Sequence, residues 1–158
     1  MSRQLISVIA GDKPGVLQRV SGLFSRRGYN IESITVGPSE TEGRSRMLVA
    51  ARGDDAQIRQ IVAQLRKLID VLEVTLLEEK PFVSRELMLI KLSLEPSKRA
   101  EIQSLTDTFR CSVIDVGLDT MILQIVGGAV KNDAFLQLIQ PYGILEMTRT
   151  GETAMNRG

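Results

Sequence analysis

The hydrophobic pattern of the first half of the chain predicts four strands and two helices. Residues 5–10 form an apolar run of strand length, and a turn cluster follows it. Apolar residues then recur at helical spacing, which predicts a helix over 14–27 that ends at Gly28. Three more strands and a helix with apolar positions between 58 and 69 complete the order βαββαβ, the strands lying over 30–36, 44–52 and 71–77.

The second half repeats this order after a short polar segment. Residues 78–84 contain Pro81 and are predicted to be a linker. A strand over 85–94 follows, and Ser97 is placed to cap the next helix. The later elements are predicted over 111–116, 120–126, 129–140 and 144–149. Residues 151–158 are expected to be a flexible tail, so the two domains would span 1–77 and 85–150.

Two βαββαβ units predict an α+β fold made of two ferredoxin-like sandwiches. Each unit would contain a four-stranded antiparallel sheet with both helices on one face. The pattern leaves the other face of each sheet without a cover from its own half. A large exposed apolar patch is unusual on a monomer, so a second domain, another subunit or a ligand is expected to cover this face. Dimerisation is the physical expectation.

Composition excludes several classes of site. The 158 residues include no His and one Cys, which rules out His-based catalysis, His-ligated metals and an intramolecular disulfide. The formal charge of +1 argues against binding to nucleic acid through phosphates, which needs many uncompensated cations. No apolar run is long enough to span a membrane, and the N-terminus leads directly into a strand pattern. We therefore expect a cytoplasmic protein.

Candidate chemistry lies in residues 12–17, between the first strand and the first helix. The first backbone N–H groups of a helix have no intrahelical partner and carry partial positive charge, so Gly15, Val16 and Leu17 can donate to a carboxylate. Pro14 donates nothing, and Asp12 can accept from an ammonium group. These are the needs of a free α-amino acid. The simpler interpretation, that Asp12 is a helix cap and Gly15 a turn residue, stays open.

Two other positions have a functional and a structural interpretation. Asn30 begins the second strand, and its amide could bind a carboxylate if a neighbouring subunit brings it to the helix start; otherwise it is an ordinary turn residue. Cys111 begins an apolar strand and is expected to be an unreactive, buried thiol.

The same residues resemble a known family. Residues 12–17 (DKPGVL) and the run 23–33 (LFSRRGYNIES) resemble an ACT domain, and the second run is typical of the regulatory small subunits of acetolactate synthase. The resemblance extends through residues 44–47 and 64–71 and into the second half at 85–91 and 109–116. It covers the whole chain except the tail.

The resemblance implies a function that the spacing of residues does not. Such small subunits are not catalytic; they activate a large subunit that holds thiamine diphosphate, Mg²⁺ and FAD. They also make the large subunit sensitive to feedback inhibition by valine or a related branched-chain amino acid, in the biosynthesis of these amino acids. By resemblance, the effector lies between the ACT domains of a homodimer. It contacts residues matching Asp12, Pro14, Gly15, Val16 and Leu17 and the strand start at Asn30 and Ile31.

Other functions are compatible with part of the pattern. A free-standing ACT-domain sensor would share the site at residues 12–17 but would need neither the second half nor a catalytic partner. A ferredoxin-like RNA-binding module would stack bases on aromatic side chains, but aromatic residues make up only 4% of the chain. An independent enzyme is disfavoured, because the chain has no His and no convergent set of polar residues.

Overall fold

The computed structural model describes residues 2–158 and divides into two compact units. The N-terminal unit comprises the chain up to Val83 together with Thr153–Gly158, and the C-terminal unit is Ser84–Glu152. The first unit therefore extends beyond the predicted 1–77, includes nearly all of the predicted linker over 78–84, and includes the end of the chain. The second unit differs from the predicted 85–150 by one residue at its start and two at its end.

The N-terminal unit has the βαββαβ order expected from the sequence. Its four strands form an antiparallel sheet in the order β2-β3-β1-β4, so β2 and β4 are the edges. A one-turn 3₁₀ helix, Leu77–Glu79, follows the last strand. The elements are β1 (Ser2–Gly11), α1 (Val16–Arg26), β2 (Asn30–Pro38), β3 (Arg44–Gly53), α2 (Asp55–Arg66) and β4 (Val71–Leu76).

The C-terminal unit repeats the arrangement with its own sheet. Its strands are ordered β6-β7-β5-β8 and all pair antiparallel. The elements are β5 (Phe82–Ser93), α3 (Arg99–Thr108), β6 (Ser112–Val116), β7 (Thr120–Gly127), α4 (Ala129–Ile139) and β8 (Ile144–Arg149). The first two residues of β5 belong to the N-terminal unit. The predicted α+β fold of two ferredoxin-like units is confirmed.

Each unit has a separate core between its helices and its sheet. In β1, alternate residues Ile6, Val8 and Ala10 are buried in the first core, as a period of two requires. In β5, Met88, Ile90 and Leu92 do the same in the second core. Helical spacing supplies the facing residues, which in α1 are Val16, Val20, Leu23 and Phe24. Burial of these alternating positions fixes the register of each sheet, because a slip of one residue would expose them.

The helix starts agree with local sequence signals only in part. Asp54 caps α2: its carboxylate accepts from the Gln57 N–H, and the Gln57 side chain accepts from the Asp54 N–H at 2.9 Å. The prediction that Ser97 caps α3 was wrong. A 3₁₀ turn over Pro96–Lys98 precedes that helix, and Lys98 occupies the cap position without a side-chain hydrogen bond.

The prediction of a flexible tail over 151–158 was wrong for its central residues. Thr153–Asn156 form β9, which pairs with β5, and the Arg157 N–H donates to the Pro81 carbonyl oxygen at 2.8 Å. Ala154 is buried in an apolar cluster, and burial of even a small side chain opposes fraying. The segment was missed because four residues are too few for a period to be recognised, and their partners lie far away in sequence.

The second face of the N-terminal sheet is also covered within its own unit. Leu5, Leu48 and Ala50 lie on the face opposite the helices and are buried. Leu77, Phe82 and Ala154 pack against them. Two of these three residues, Phe82 and Ala154, follow the predicted first domain in sequence, so this face takes most of its cover from a later part of the same chain. An association between copies of the chain must rest on other features.

The helices of the chain are short compared with the thickness of a membrane. The longest helix, α2, has 12 residues, which at about 1.5 Å per residue gives about 18 Å. The hydrocarbon core of a bilayer is about 30 Å thick. None of the helices formed by residues 2–158 is long and apolar enough to cross it.

Candidate functional site

The loop between β1 and α1 turns into the helix at Gly15. This glycine is the N-cap residue, with φ 84° and ψ −5°, and α1 begins at Val16. The predicted start at residue 14 was two residues early, and the interpretation of Asp12 as a cap was wrong. No side chain among residues 2–158 caps the helix. The left-handed turn at Gly15 separates Asp12 from the first helical turn, so its exposed carboxylate is not used there.

The start of α1 presents unused backbone donors. The Val16 N–H donates to the Lys13 carbonyl oxygen at an N···O distance of 3.4 Å. The N–H groups of Gly15 and Leu17 have no protein acceptor among residues 2–158. The first turn contains no acidic residue, so no side-chain charge opposes the positive end of the helix dipole. Of the three predicted donors, the structure thus leaves those of Gly15 and Leu17 without an acceptor among the described residues, at a helix start that can accept an anion.

The loop is held from outside by Asp70, which sequence analysis missed. The Gly11 N–H donates to the Asp70 backbone carbonyl oxygen at 2.9 Å. The Asp70 carboxylate pairs with the Arg19 guanidinium and lies 3.9 Å from Lys13 Nζ. Asp70 lies between α2 and β4, and only the sheet order brings that connection beside α1. No local spacing signal could have identified it.

The Arg19 guanidinium also packs closely against the turn. A Cβ atom added at Gly15 would lie 3.2 Å from Arg19 Nη1. This distance is tighter than usual for a Cβ contact, so a side chain at position 15 would displace the guanidinium that Asp70 holds. The positions of Gly15, Arg19 and Asp70 therefore depend on one another, and a change at one would shift the others beside the exposed helix start.

Asn30 and Ile31 are not brought to this loop within one chain. Gly11 pairs with Arg44 of β3, whereas Asn30 pairs with Arg52, eight residues further along the same strand. At about 3.3 Å per residue the two positions are about 26 Å apart. Asn30 is exposed, and Ile31 packs partly against the N-terminal core. The two halves of the predicted site thus occupy opposite ends of the sheet.

A carboxylate fastens the beginning of β2 to its sheet. Glu32, one residue beyond Ile31, accepts from Arg3 Nε at 2.7 Å and also pairs with Arg52. Burial raises the pKa of Glu32, but hydrogen bonds and charge interactions with the two arginines outweigh this and lower the pKa below its ordinary value. At neutral pH the charged carboxylate therefore links β2 to β1 and β3, next to Asn30.

Cys111 is not equipped to act as a nucleophile. Burial raises the pKa of its thiol to about 11, with Lys131 acting weakly in the opposite direction. The thiolate is the reactive form, so only about one thiol in a thousand is reactive near pH 8. The half-buried side chain packs against the C-terminal core, as the sequence pattern predicts for a structural cysteine.

Comparison with known proteins covers both units. The family described as an acetohydroxyacid synthase (AHAS) small subunit-like ACT domain matches residues 6–73, and the family described as the small subunit of acetolactate synthase matches residues 85–158. A probable acetolactate synthase small subunit of Methanothermobacter thermautotrophicus is 51% identical over 155 residues, covering 98% of this chain and 92% of that protein. The acetolactate synthase small subunit of Bacillus subtilis is 45% identical over 158 residues, covering 99% and 91%.

A solved structure agrees over the full length. The crystal structure of the acetolactate synthase small subunit from Thermotoga maritima has a TM-score of 0.89 and 42% sequence identity, and the match covers 100% of this chain and 99% of that chain. The match therefore includes both units and strand β9. Sequence and structure agree that the chain belongs to the family of acetolactate synthase small subunits, as a regulatory, non-catalytic subunit of that transferase.

Proposed function

We propose that the start of α1 binds the carboxylate of a branched-chain amino acid, with valine as the effector. The observation that supports this most directly is the pair of unused N–H groups at Gly15 and Leu17, at a helix start without a cap. Two amides and the helix dipole suit a carboxylate. The exposed carboxylate of Asp12, three residues earlier, suits the ammonium group, and the half-exposed Leu17 offers apolar surface.

We further propose that two chains complete the site as a homodimer through their ACT domains. Asn30 and Ile31 are about 26 Å from the loop of their own chain. The strand that they begin, β2, is an edge of its sheet, so it has one free side for pairing. Antiparallel pairing of two β2 edges would place the beginning of one strand beside the end of the other. That arrangement would bring Asn30 of each chain towards the partner's β1–α1 loop.

Through this site the subunit would regulate a cytoplasmic catalytic partner. In our proposal the chain activates the large subunit of acetolactate synthase and makes it sensitive to valine, in branched-chain amino acid biosynthesis. Thiamine diphosphate, Mg²⁺ and FAD would belong to that partner. The alternative of a free-standing sensor is disfavoured, because the second unit also matches the small-subunit family over residues 85–158.

The decisive experiment measures the large subunit with and without this chain across a valine titration. We expect activity to rise on addition of the chain and to fall again with valine. Unchanged activity at saturating chain would contradict the partner, and activation without a valine response would contradict the effector. Sedimentation should show a dimer at micromolar concentration, and a stable monomer would contradict the shared site.

A substitution at Asn30 tests the contact more closely. Loss of a hydrogen bond to a charged group costs about 1.5–3 kcal/mol, so Asn30→Ala should raise the valine midpoint about ten- to a hundredfold. Activation should persist. The control is Gln137→Ala, an exposed amide on α4 for which we expect no change. An equal midpoint in the two variants would show that Asn30 does not contact the ligand.

A further inference from the structure

A second concavity lies within the N-terminal unit, away from the β1–α1 loop. It has a volume of about 530 Å³ and is bordered by α2, β4, the segment after β4 and strand β9. Small-molecule sites in proteins occupy about 300–1,000 Å³, so the space is large enough for a metabolite. Strands β4 and β2 are the two opposite edges of the sheet, so this concavity lies at the edge away from the proposed dimer contact.

The charged groups around the concavity are mostly cationic. Arg59 and Arg66 line one wall from α2, Lys80 lines another, and Glu79 is the single acidic side chain of the lining. None of the three cations forms an ion pair with a carboxylate within residues 2–158. Three cations and one carboxylate leave a local excess of two positive charges, which favours an anionic occupant.

Part of this arrangement is held in place before any ligand binds. Arg66 Nη2 donates to the Val74 carbonyl oxygen of β4 at 3.1 Å, which fixes one guanidinium against the strand edge. Arg59 is seven residues earlier, two turns along the same face of α2, so its backbone is about 10 Å away. Asn156 of β9 is held by its own bond to the Leu77 carbonyl oxygen at 3.0 Å. Arg66 and Asn156 are therefore fixed at the border of the concavity by contacts within the protein.

We propose that this basic pocket binds a small organic anion carrying at least two negative charges, supplied by phosphate or carboxylate groups. The inference is independent of the valine site. A concave pocket bordered by four chain segments suits a small molecule better than it suits a protein partner with a flat surface. Arginine is well suited to both anions, because its guanidinium can donate two parallel hydrogen bonds to either one.

Two probes separate the two possible sources of the charge. Inorganic pyrophosphate and citrate are each titrated into the full chain at low salt by isothermal calorimetry. We expect saturable binding of one anion per chain, stronger for one probe, and weaker as salt is added. Pyrophosphate as the stronger ligand would assign the site to phosphates, and citrate would assign it to polycarboxylates. If neither pyrophosphate nor citrate shows saturable binding to the chain, the proposal is overturned.

Variants with matched controls locate the binding. Arg59→Gln and Lys80→Gln remove exposed cations of the pocket and should each weaken binding about tenfold, since each removes a hydrogen bond to a charged group. Arg99→Gln and Lys67→Gln remove the same charges from exposed positions outside it and should leave binding unchanged. Equal weakening by all four variants would indicate attraction to net charge only and would overturn the proposal.

A protein partner is the competing occupant. If neither probe binds, and the two pocket variants instead weaken association with the large subunit while the controls do not, the surface is a docking site and the small-molecule proposal fails. Thermal unfolding of each variant shows that it is folded, which the exposure of Arg59 and Lys80 leads us to expect.

Discussion

At the scale of single residues, Gly15 combines a backbone requirement with a close approach. Its φ of 84° costs a residue with a Cβ about 1–2 kcal/mol, and a Cβ would also lie against Arg19 Nη1. Gly15→Ala should therefore lower the melting temperature. It should also weaken inhibition by valine in an assay with the large subunit, because the shifted guanidinium disturbs the loop.

Gly22 provides the matched control within the same helix. It lies inside α1, and a Cβ added there would meet nothing within 4 Å. Gly22→Ala should stabilise the chain by about 0.5–1 kcal/mol and leave the valine response intact. If both variants melted above the parent chain, the left-handed turn at Gly15 would not be required.

The charge of Glu32 makes stability depend on pH in a defined direction. Its pKa is lowered in the folded chain, so its ionised form stabilises the fold above the ordinary carboxyl pKa, and this contribution is lost as the pH falls through the lowered value. Glu32→Gln should reduce the free energy of unfolding at pH 7 by about 0.5–1 kcal/mol, with no difference in strong acid.

Urea unfolding at several pH values measures this difference. Glu42→Gln is the control, because Glu42 is exposed in the β2–β3 loop and has no ion pair among the described residues. A difference between Glu32→Gln and the parent chain that persisted unchanged in acid would show that charge is not the cause.

Residue chemistry was predictable only where neighbours in sequence determine it. The donors at the helix start follow from the position of Pro14 and Gly15 before an amphipathic run. The anchoring by Asp70 does not, because it depends on which strand lies beside β1. The conformation of Gly15 also escaped prediction, since both a first-turn residue and a left-handed N-cap are common for glycine.

At the scale of elements, β9 should contribute to the stability of the N-terminal unit. Ala154 is 7% exposed among apolar side chains, so Ala154→Asp would bury a charge without a partner. We expect a loss of at least about 2 kcal/mol, measured by urea unfolding. Met155, 66% exposed on the same strand, is the control, and Met155→Asp should change stability by less than about 0.5 kcal/mol. Equal effects would mean that β9 does not pack as described.

Long, strongly periodic elements could be derived from sequence, and so could the five- and six-residue strands β6 and β8, but the four-residue strand β9 could not. Helix α2 carries both an apolar stripe and a capping box, and its apolar positions from Ile58 to Leu65 are buried as their spacing predicts. Ile69, which the same pattern included, lies beyond the end of the helix and is exposed. Strand β9 has four residues and pairs with a strand about seventy positions earlier. Its burial comes from tertiary contacts, which override its weak local preference.

At the scale of the molecule, two separate cores predict two separate unfolding events. Leu65 is fully buried in the first core and Leu123 in the second, so replacing either with Ala should cost its unit about 2–5 kcal/mol. The two tyrosines of the chain report on different units, Tyr29 packing against the first core and Tyr142 against the second. Fluorine NMR of fluorotyrosine-labelled chain can follow both.

Each substitution should move mainly the signal of its own unit. Leu65→Ala should lower the urea midpoint reported by Tyr29, and Leu123→Ala the midpoint reported by Tyr142. Coincident midpoints that shift together in both variants would show that the chain unfolds as one cooperative body instead.

The return of β9 to the N-terminal unit affects how the chain matures on the ribosome. Translation delivers Thr153 only after the whole C-terminal unit has been synthesised. Until then Leu77 and Phe82 can cover Leu5, Leu48 and Ala50, but Ala154 cannot. A nascent chain that stalls or terminates before β9 thus carries an incompletely covered apolar face, which chaperones and proteases recognise. Premature stop codons that remove β9 should therefore lower the cellular level of the protein.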